Sequence, residues 1–255
     1  SEVRYIRERL GEDGRPKLAR AWIDGDYLKI AIAFEREVRP IQPSEYMLVI
    51  DVNSWRNGIV WALIKDGSIA SLGRERPWLR RIDRLYNEVL RLEREYGRLR
   101  RLGIHKSIEG KRLWRKIKRL RRRLYAILRD FAQKTAHKLV MKAIRYRALV
   151  IIDDLIEEGR RELLEDGLDN GLVKLYLAGL RRFVKLLTNQ LEWYGIPYEF
   201  RRLPSTKCPQ CGHELRQLPS RVMICPICGF RADRDLVPIQ WAIRITHTPQ
   251  FQYNH

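Results

Sequence analysis

Met47-Leu48-Val49-Ile50-Asp51-Val52 is an apolar run interrupted near its end by one acid, and Ala148-Leu149-Val150-Ile151-Ile152-Asp153-Asp154 repeats that layout far downstream. Short runs of this kind, rich in β-branched residues, suit strands covered on both faces. Both are predicted as buried strands of one sheet, each ending in carboxylates. Working outward from the first run, Gly58 to Ile64 reads as a second strand, and Asp66-Gly67 turns into a third near Ile69 to Leu72. Ahead of Pro43, residues 17–38 alternate apolar and polar around Asp24-Gly25-Asp26, with Trp22, Tyr27, Leu28, Ile30 and Ile32 as β-formers, which predicts a hairpin. Beyond the Ala148 run, Leu172 to Trp193 reads as an amphipathic helix closed by Gly195, Pro197 to Phe200 as a fifth strand, and Asp235 to Ile245 as a last helix. The fold class is α/β.

Between the third and fourth strands the apolar period changes. Trp78, Ile82, Leu85, Val89, Leu92, Tyr96 and Leu99 recur in alternating steps of four and three, a heptad seam on a long helix. Gly103 and Gly110 bracket a loop, and Leu113, Ile117, Leu120, Leu124, Ile127 and Phe131 repeat the spacing, so an antiparallel helical hairpin is predicted over 76–146. Its second helix carries Arg112, Arg115, Lys116, Lys118, Arg119, Arg121, Arg122 and Arg123, which form either a solvated face or a track for phosphates.

The 255 residues hold 51 Lys+Arg against 31 Asp+Glu, a formal charge of +20 and a pI of about 10.2. A polyanion is the partner such a surface calls for. A basic membrane-surface protein would show an amphipathic anchor or a lipidation signal, which neither Ser1 nor His255 offers, and a thermophile surface usually balances its signs. The longest aliphatic run, Ala148 to Ile152, is too short to cross a bilayer, so no membrane partner is expected. No signal peptide is read at the start of the sequence, and with no initiating Met, Ser1 is expected to be a processed or trimmed start.

All four cysteines form two Cys-x-x-Cys pairs, Cys208/Cys211 and Cys225/Cys228, each followed by glycine, with thirteen residues between them. Glycine after each second cysteine lets backbone amides turn toward the thiolates, and four sulfur ligands leave no open position, so the expected ion is a structural Zn²⁺. His213 beside the first pair is read as a surface residue. The acids form the second constellation: Asp51, Asp153 with Asp154, and Asp233-Arg234-Asp235. Singly, each is an ordinary turn or cap residue. If the first and fourth strands are neighbours, their acids come together, and hard oxygen ligands there suit Mg²⁺ or Mn²⁺.

These features, in order, resemble the TnpB proteins of insertion sequences, RNA-guided DNA nucleases related to type V CRISPR effectors and to Fanzor proteins. The resemblance runs from Val49-Ile50-Asp51 through the basic helices, Ile151-Ile152-Asp153-Asp154-Leu155, Trp193-Tyr194-Gly195-Ile196-Pro197, Ser205-Thr206-Lys207 and the two cysteine pairs to Ala232-Asp233-Arg234-Asp235. It implies an RNase H-like, RuvC-type mixed sheet with an inserted helical hairpin and an inserted four-cysteine zinc ribbon. Asp51, Asp153 and Asp235 would be the catalytic, Mg²⁺- or Mn²⁺-binding acids, and Arg112, Arg115, Lys116, Arg119, Arg122 and Arg123 are candidates to contact nucleic acid. The implied domains are a wedge-like remnant over 1–43, a nuclease domain over 44–203 and 232–255, and the ribbon over 204–231, with the N-terminal recognition region missing. DNA and a guide RNA are the implied partners, and the cytoplasm of a prokaryote, a thermophile, the implied setting. Asp153 stands where the family usually has Glu, Asn53 where it has Gly, and Val237-Pro238-Ile239 where it has Asn-Ala-Ala. The competing expectation is a nucleic-acid-binding relic or repressor that keeps the fold without cleavage. A zinc-ribbon scaffold of a larger assembly would leave the ordered acids unexplained.

Overall fold

The computed structural model describes residues 6–7, 10–11, 13–54, 58–154 and 170–247. The first elements are β1 (Arg15–Asp24) and β2 (Tyr27–Glu35), an antiparallel hairpin turning at Gly25, whose φ of 65° suits a residue without Cβ. Both strands are exposed along almost their whole length and form a separate two-stranded sheet.

The central sheet has five strands: β3 (Tyr46–Ser54), β4 (Gly58–Lys65), β5 (Ser68–Glu75), β6 (Leu149–Asp153) and β7 (Tyr198–Arg201). Their order is β5-β4-β3-β6-β7, with β3, β4 and β5 antiparallel in sequence and β6 and β7 added in parallel. The two predicted runs, β3 and β6, are therefore neighbours, in register Met47 with Leu149 through Ile50 with Ile152. Side chains alternate between the faces. Leu48, Ile50, Val52, Trp61, Leu63 and Ile152 join one core, whereas Met47, Val49, Val60, Ala62, Ile64 and Ile151 join another on the opposite face.

Two helices, α1 (Leu79–Arg101) and α2 (Ile108–Tyr146), lie between β5 and β6 in sequence, and α3 (Asn170–Tyr194) lies between β6 and β7. They supply the first core. The seam of α1 is Ile82, Leu85, Val89 and Leu92, but Trp78 is 70% exposed just ahead of the helix. Gly110 does not close a loop as the sequence suggested. It sits in the first turn of α2, where its amide bonds the Ser107 hydroxyl at 3.1 Å and a Cβ would come 2.1 Å from the His105 carbonyl oxygen. The seam of α2 also departs from the heptad: after Ile117, Leu120 and Leu124 it advances through Leu128, Ala132 and Ala136, leaving Ile127 and Phe131 half-buried. Successive steps of four overrun the 3.6-residue turn, so the buried stripe drifts around the helix, and this 39-residue helix outruns the 23-residue α1 and packs on both α1 and α3.

At the end of α3, Gly195 has a φ of 66°, its carbonyl accepts the Ile41 amide at 2.7 Å, and a Cβ there would fall 2.6 Å from the Arg39 carbonyl oxygen. The chain entering β3 crosses the sheet's helical layer at this glycine. A small three-stranded sheet follows β7, made of β8 (Arg216–Leu218), β9 (Val222–Ile224) and β10 (Arg231–Asp233) in the order β10-β9-β8. The chain then enters α4 (Val237–His247), whose Ile239 and Ala242 cover the second face of the central sheet. Among the described residues no helix is long and apolar enough to cross a membrane. Residues 55–57 and Leu155 lie outside the described residues.

Candidate functional site

Register builds the site. Val60 pairs with Arg74 and Asp51 with Val60, Asp153 pairs with Arg201, and the pair after Ile50–Ile152 is Asp51–Asp153. One row therefore crosses the sheet as Arg74, Val60, Asp51, Asp153, Arg201. By alternation it faces α4, since Val49, Val60 and Ile151 belong to that core. The aspartates sit side by side on parallel strands, 3% and 1% exposed, with arginines at both ends of the row. Asp153 Oδ1 accepts the Leu203 amide at 3.1 Å, which fixes it toward this face. Asp154, the other acid of the pair, is exposed.

Asp235 reaches the same face from the helical turn that opens α4, and it is 6% exposed. Asp233, not Asp235, caps that turn: its carboxylate accepts the Asp235 amide at 2.9 Å. Both oxygens of Asp235 meet guanidinium groups, Oδ2 with Arg74 at 2.6 Å and Oδ1 with Arg221 at 2.8 Å. Arg74 comes from the acid row itself, and Arg221 from the β8–β9 connection, where Ser220 and Arg221 have φ of 65° and 61°. Neither arginine was singled out from the sequence, because each pairs through tertiary structure and stands in no local motif. The three aspartates thus share one face, yet among the described residues only the cysteines form a tight cluster of potential metal donors.

Those four sulfurs lie within 4.8 Å of one another, with Cys208–Cys228 at 3.5 Å and Cys211–Cys225 at 3.4 Å. Sulfurs of a tetrahedral site with bonds of about 2.3 Å stand roughly 3.8 Å apart, so the arrangement is one that can bind a metal ion. The two knuckles match. Gly212 and Gly229, with φ of 78° and 74°, return their amides to the Cys208 and Cys225 carbonyls, and the Cys208 and Cys225 amides bond the His213 and Phe230 carbonyls. The Cys228 amide, followed by that of Ile227, holds the Cys225 thiol down to about 6. Cys228 is drawn down by the Phe230 amide but pushed up on balance to about 12, by lost hydration and by the neighbouring sulfurs. His213 is exposed.

The cysteine module is docked on α4. Trp241 Nε1 donates to the Lys207 carbonyl at 2.8 Å, Arg244 donates to the Pro209 carbonyl at 2.7 Å, and Val237 packs among Cys208, Leu215, Met223 and Cys225. The residues that hold the module also hold the turn bearing Asp235.

On α2, the basic residues divide. Lys116 and Arg121 pair across the hairpin with Glu88 at 3.1 Å and Glu93 at 2.7 Å, and Lys118 lies over the Trp114 ring. Arg112, Arg115, Arg119, Arg122 and Arg123 are exposed and carry no ion pair among the described residues. Arg112, Arg115, Arg119 and Arg122 recur at three- and four-residue steps and so share one face.

Residues 181–238 match the family model described as Cas12f1-like, TNB domain. A TnpB-like protein of the archaeon Methanocaldococcus jannaschii is 24% identical over 240 residues, covering 92% of this chain and 80% of that protein. A second protein of that organism, named as a transposase, is 50% identical over 44 residues, 14% of this chain and 40% of its own length. Among solved structures, a Cas12f1–sgRNA–target DNA complex aligns with a TM-score of 0.42 and 16% identity over 91% of this chain. This chain spans 56% of that one.

Proposed function

We propose that this chain is a member of the TnpB family and a metal-dependent DNA endonuclease with an RNase H-like, RuvC-type core, and that its cysteine module is a structural zinc ribbon. The observation that carries the reading is the adjacent buried pair Asp51 and Asp153 at the ends of parallel strands, with Asp235 delivered to the same face. Burying two carboxylates side by side is costly unless a cation compensates them, and a stable fold has no need of the arrangement. An all-oxygen donor set suits Mg²⁺ or Mn²⁺, which Asp51, Asp153 and Asp235 would hold. Ions bound there supply an activated water and charge stabilisation for the leaving oxygen of a phosphodiester.

The chain's own groups prepare this site. Arg74 and Arg221 neutralise Asp235, so a metal ion must win that carboxylate from two guanidinium groups. The ribbon, tied to α4, sets where Asp235 stands. The exposed arginine face of α2 attracts the polyanion, and DNA with a guide RNA are the proposed partners. Two observations favour a second reading, a binding protein without cleavage: Asp235 is ion-paired to two arginines, and Asp153 is a methylene shorter than the family's usual Glu.

Cleavage of single- and double-stranded DNA in Mn²⁺, with and without co-purified RNA, decides between them. The nuclease reading expects cleavage that Asp51→Ala abolishes while DNA affinity is retained. No cleavage under any of these conditions, with affinity intact, leaves the binding protein.

A further inference from the structure

Trp78 belongs to no core. It is 70% exposed where the chain leaves β5 for α1, and the only cation over its ring among the described residues is Arg81, 5.5 Å from the centroid. Beside it opens a cleft of about 370 Å³ between the end of β5 and the middle of α2. Its apolar lining is Ile127 and Phe131, the two residues that the shifted seam of α2 turns out of the hairpin core. In its polar lining Lys134 pairs with Asp130 at 2.8 Å and Lys138 with Glu75 at 2.5 Å, which leaves Arg76 and Arg81 as the cationic excess. Trp78 also occupies the N-cap position of α1, where no side chain caps the helix and no acid stands in the first turn, so the positive end of the helix adds to that excess.

A flat, apolar surface rimmed by cations fits a ligand that is itself flat on one part and anionic on another. A nucleotide of an unpaired strand has that form: the base stacks on an aromatic ring while the phosphates meet Lys and Arg. The location agrees. Arg74 ends the acid row, and the chain continues directly from it through Glu75 and Arg76 into the cleft. β5 runs parallel to β3, since each pairs antiparallel with β4, so the cleft opens at the end of the sheet where Asp51 and Asp153 stand, on the helical face opposite the acid row.

We propose that this cleft is a nucleotide-stacking subsite, in which Trp78 takes one base of a single strand and Arg76 and Arg81 take its flanking phosphates. The inference rests on the nucleic-acid part of the function proposed above and is independent of cleavage. It gives the chain a fixed point at the same end of the sheet as its acids, from which a bound strand passes around the end of the sheet toward the row.

The test is equilibrium binding in EDTA, by fluorescence anisotropy, of a labelled single-stranded oligodeoxynucleotide and of an abasic strand of equal length. Trp78→Ala should weaken binding of the base-bearing strand by roughly 5- to 150-fold, the range for one lost stack, and leave the abasic strand and the salt slope unchanged. Trp78→Phe should restore most of the loss. Arg81→Gln should weaken both strands and lower the salt slope by about 0.7. An RNA of the same sequence, measured in parallel, shows which kind of strand the subsite serves, and a base-dependent loss on either supports it. Equal losses on base-bearing and abasic strands, or no loss on any strand, overturn it. If Trp78→Ala binds normally in a protein that cuts DNA, the subsite falls and the nuclease stands. If it loses base-dependent affinity in a protein that does not cut, the subsite stands alone.

Discussion

Replacing Asp51 with Asn removes one charge from the buried pair while keeping an oxygen that accepts hydrogen bonds and nearly the same volume. Asp51 and Asp153 stand side by side on neighbouring strands, and strands are about 4.8 Å apart. Two unit charges about 5 Å apart repel by about 3 kcal/mol at an effective dielectric near 20, which is the ceiling of the effect. A proton shared between the pair, or help from Arg74 and Arg201 at the ends of the row, lowers it, so Asp51→Asn should stabilise the metal-free protein by about 1–3 kcal/mol. In a chain of this size that raises the midpoint of thermal unfolding by roughly 2–12 °C. Circular dichroism melts in EDTA and in Mn²⁺ measure it. The wild type should gain about 2.7 kcal/mol at Mn²⁺ a hundredfold above its Kd, and the variant should lose most of that response. Asp51→Asn melting several degrees lower in EDTA, with the Mn²⁺ response unchanged, would refute the reasoning, because it would make Asp51 a satisfied structural acid.

Four further outcomes are expected. Arg221→Gln leaves Asp235 with Arg74 alone and should cost about 1–2 kcal/mol, well short of the 3–5 for losing a wholly buried partner, and limited proteolysis should cut sooner within 204–233. Gly195→Ala forces a Cβ against the Arg39 carbonyl at a left-handed φ, and its melting midpoint should fall by several degrees or more, at roughly 2–4 °C per kcal/mol. Elemental analysis should find one zinc per chain in reduced protein, and Cys225→Ser should lose it and loosen the ribbon from α4. Neutralising Arg119, Arg122 and Arg123 together should lower the slope of log affinity against log salt for duplex DNA by up to about 2.7, whereas an unchanged slope returns that face to plain solvation.

What was legible in the sequence is what depends on local pattern. The aliphatic runs ending at Asp51 and Asp153 could only be buried strands, and the paired Cys-x-x-Cys-Gly motifs carry their own turn geometry. The hairpin at Gly25 was likewise fixed by its turn residues. The heptad reading of α2 failed after Leu124 because periodicity in one helix does not say which partners lie alongside, and this helix packs against both α1 and α3. Trp78 was drawn into the seam by its spacing alone, although the helix starts one residue later. The guanidinium groups on Asp235 were invisible for a different reason: Arg74 and Arg221 lie far from it in sequence, among 51 basic residues with no feature to separate them. Lys116 looked like its neighbours until Glu88 on the facing helix was in view.

The central claim is that Asp51, Asp153 and Asp235 form one metal centre, and anomalous scattering from crystals soaked in Mn²⁺ tests it most directly. The account predicts a peak on the α4 face of the sheet within about 2.2 Å of carboxylate oxygens from both Asp51 and Asp153, with Asp235 turned toward it from Arg74 and Arg221. No peak at saturating Mn²⁺, with Asp235 still held by both arginines, would contradict it.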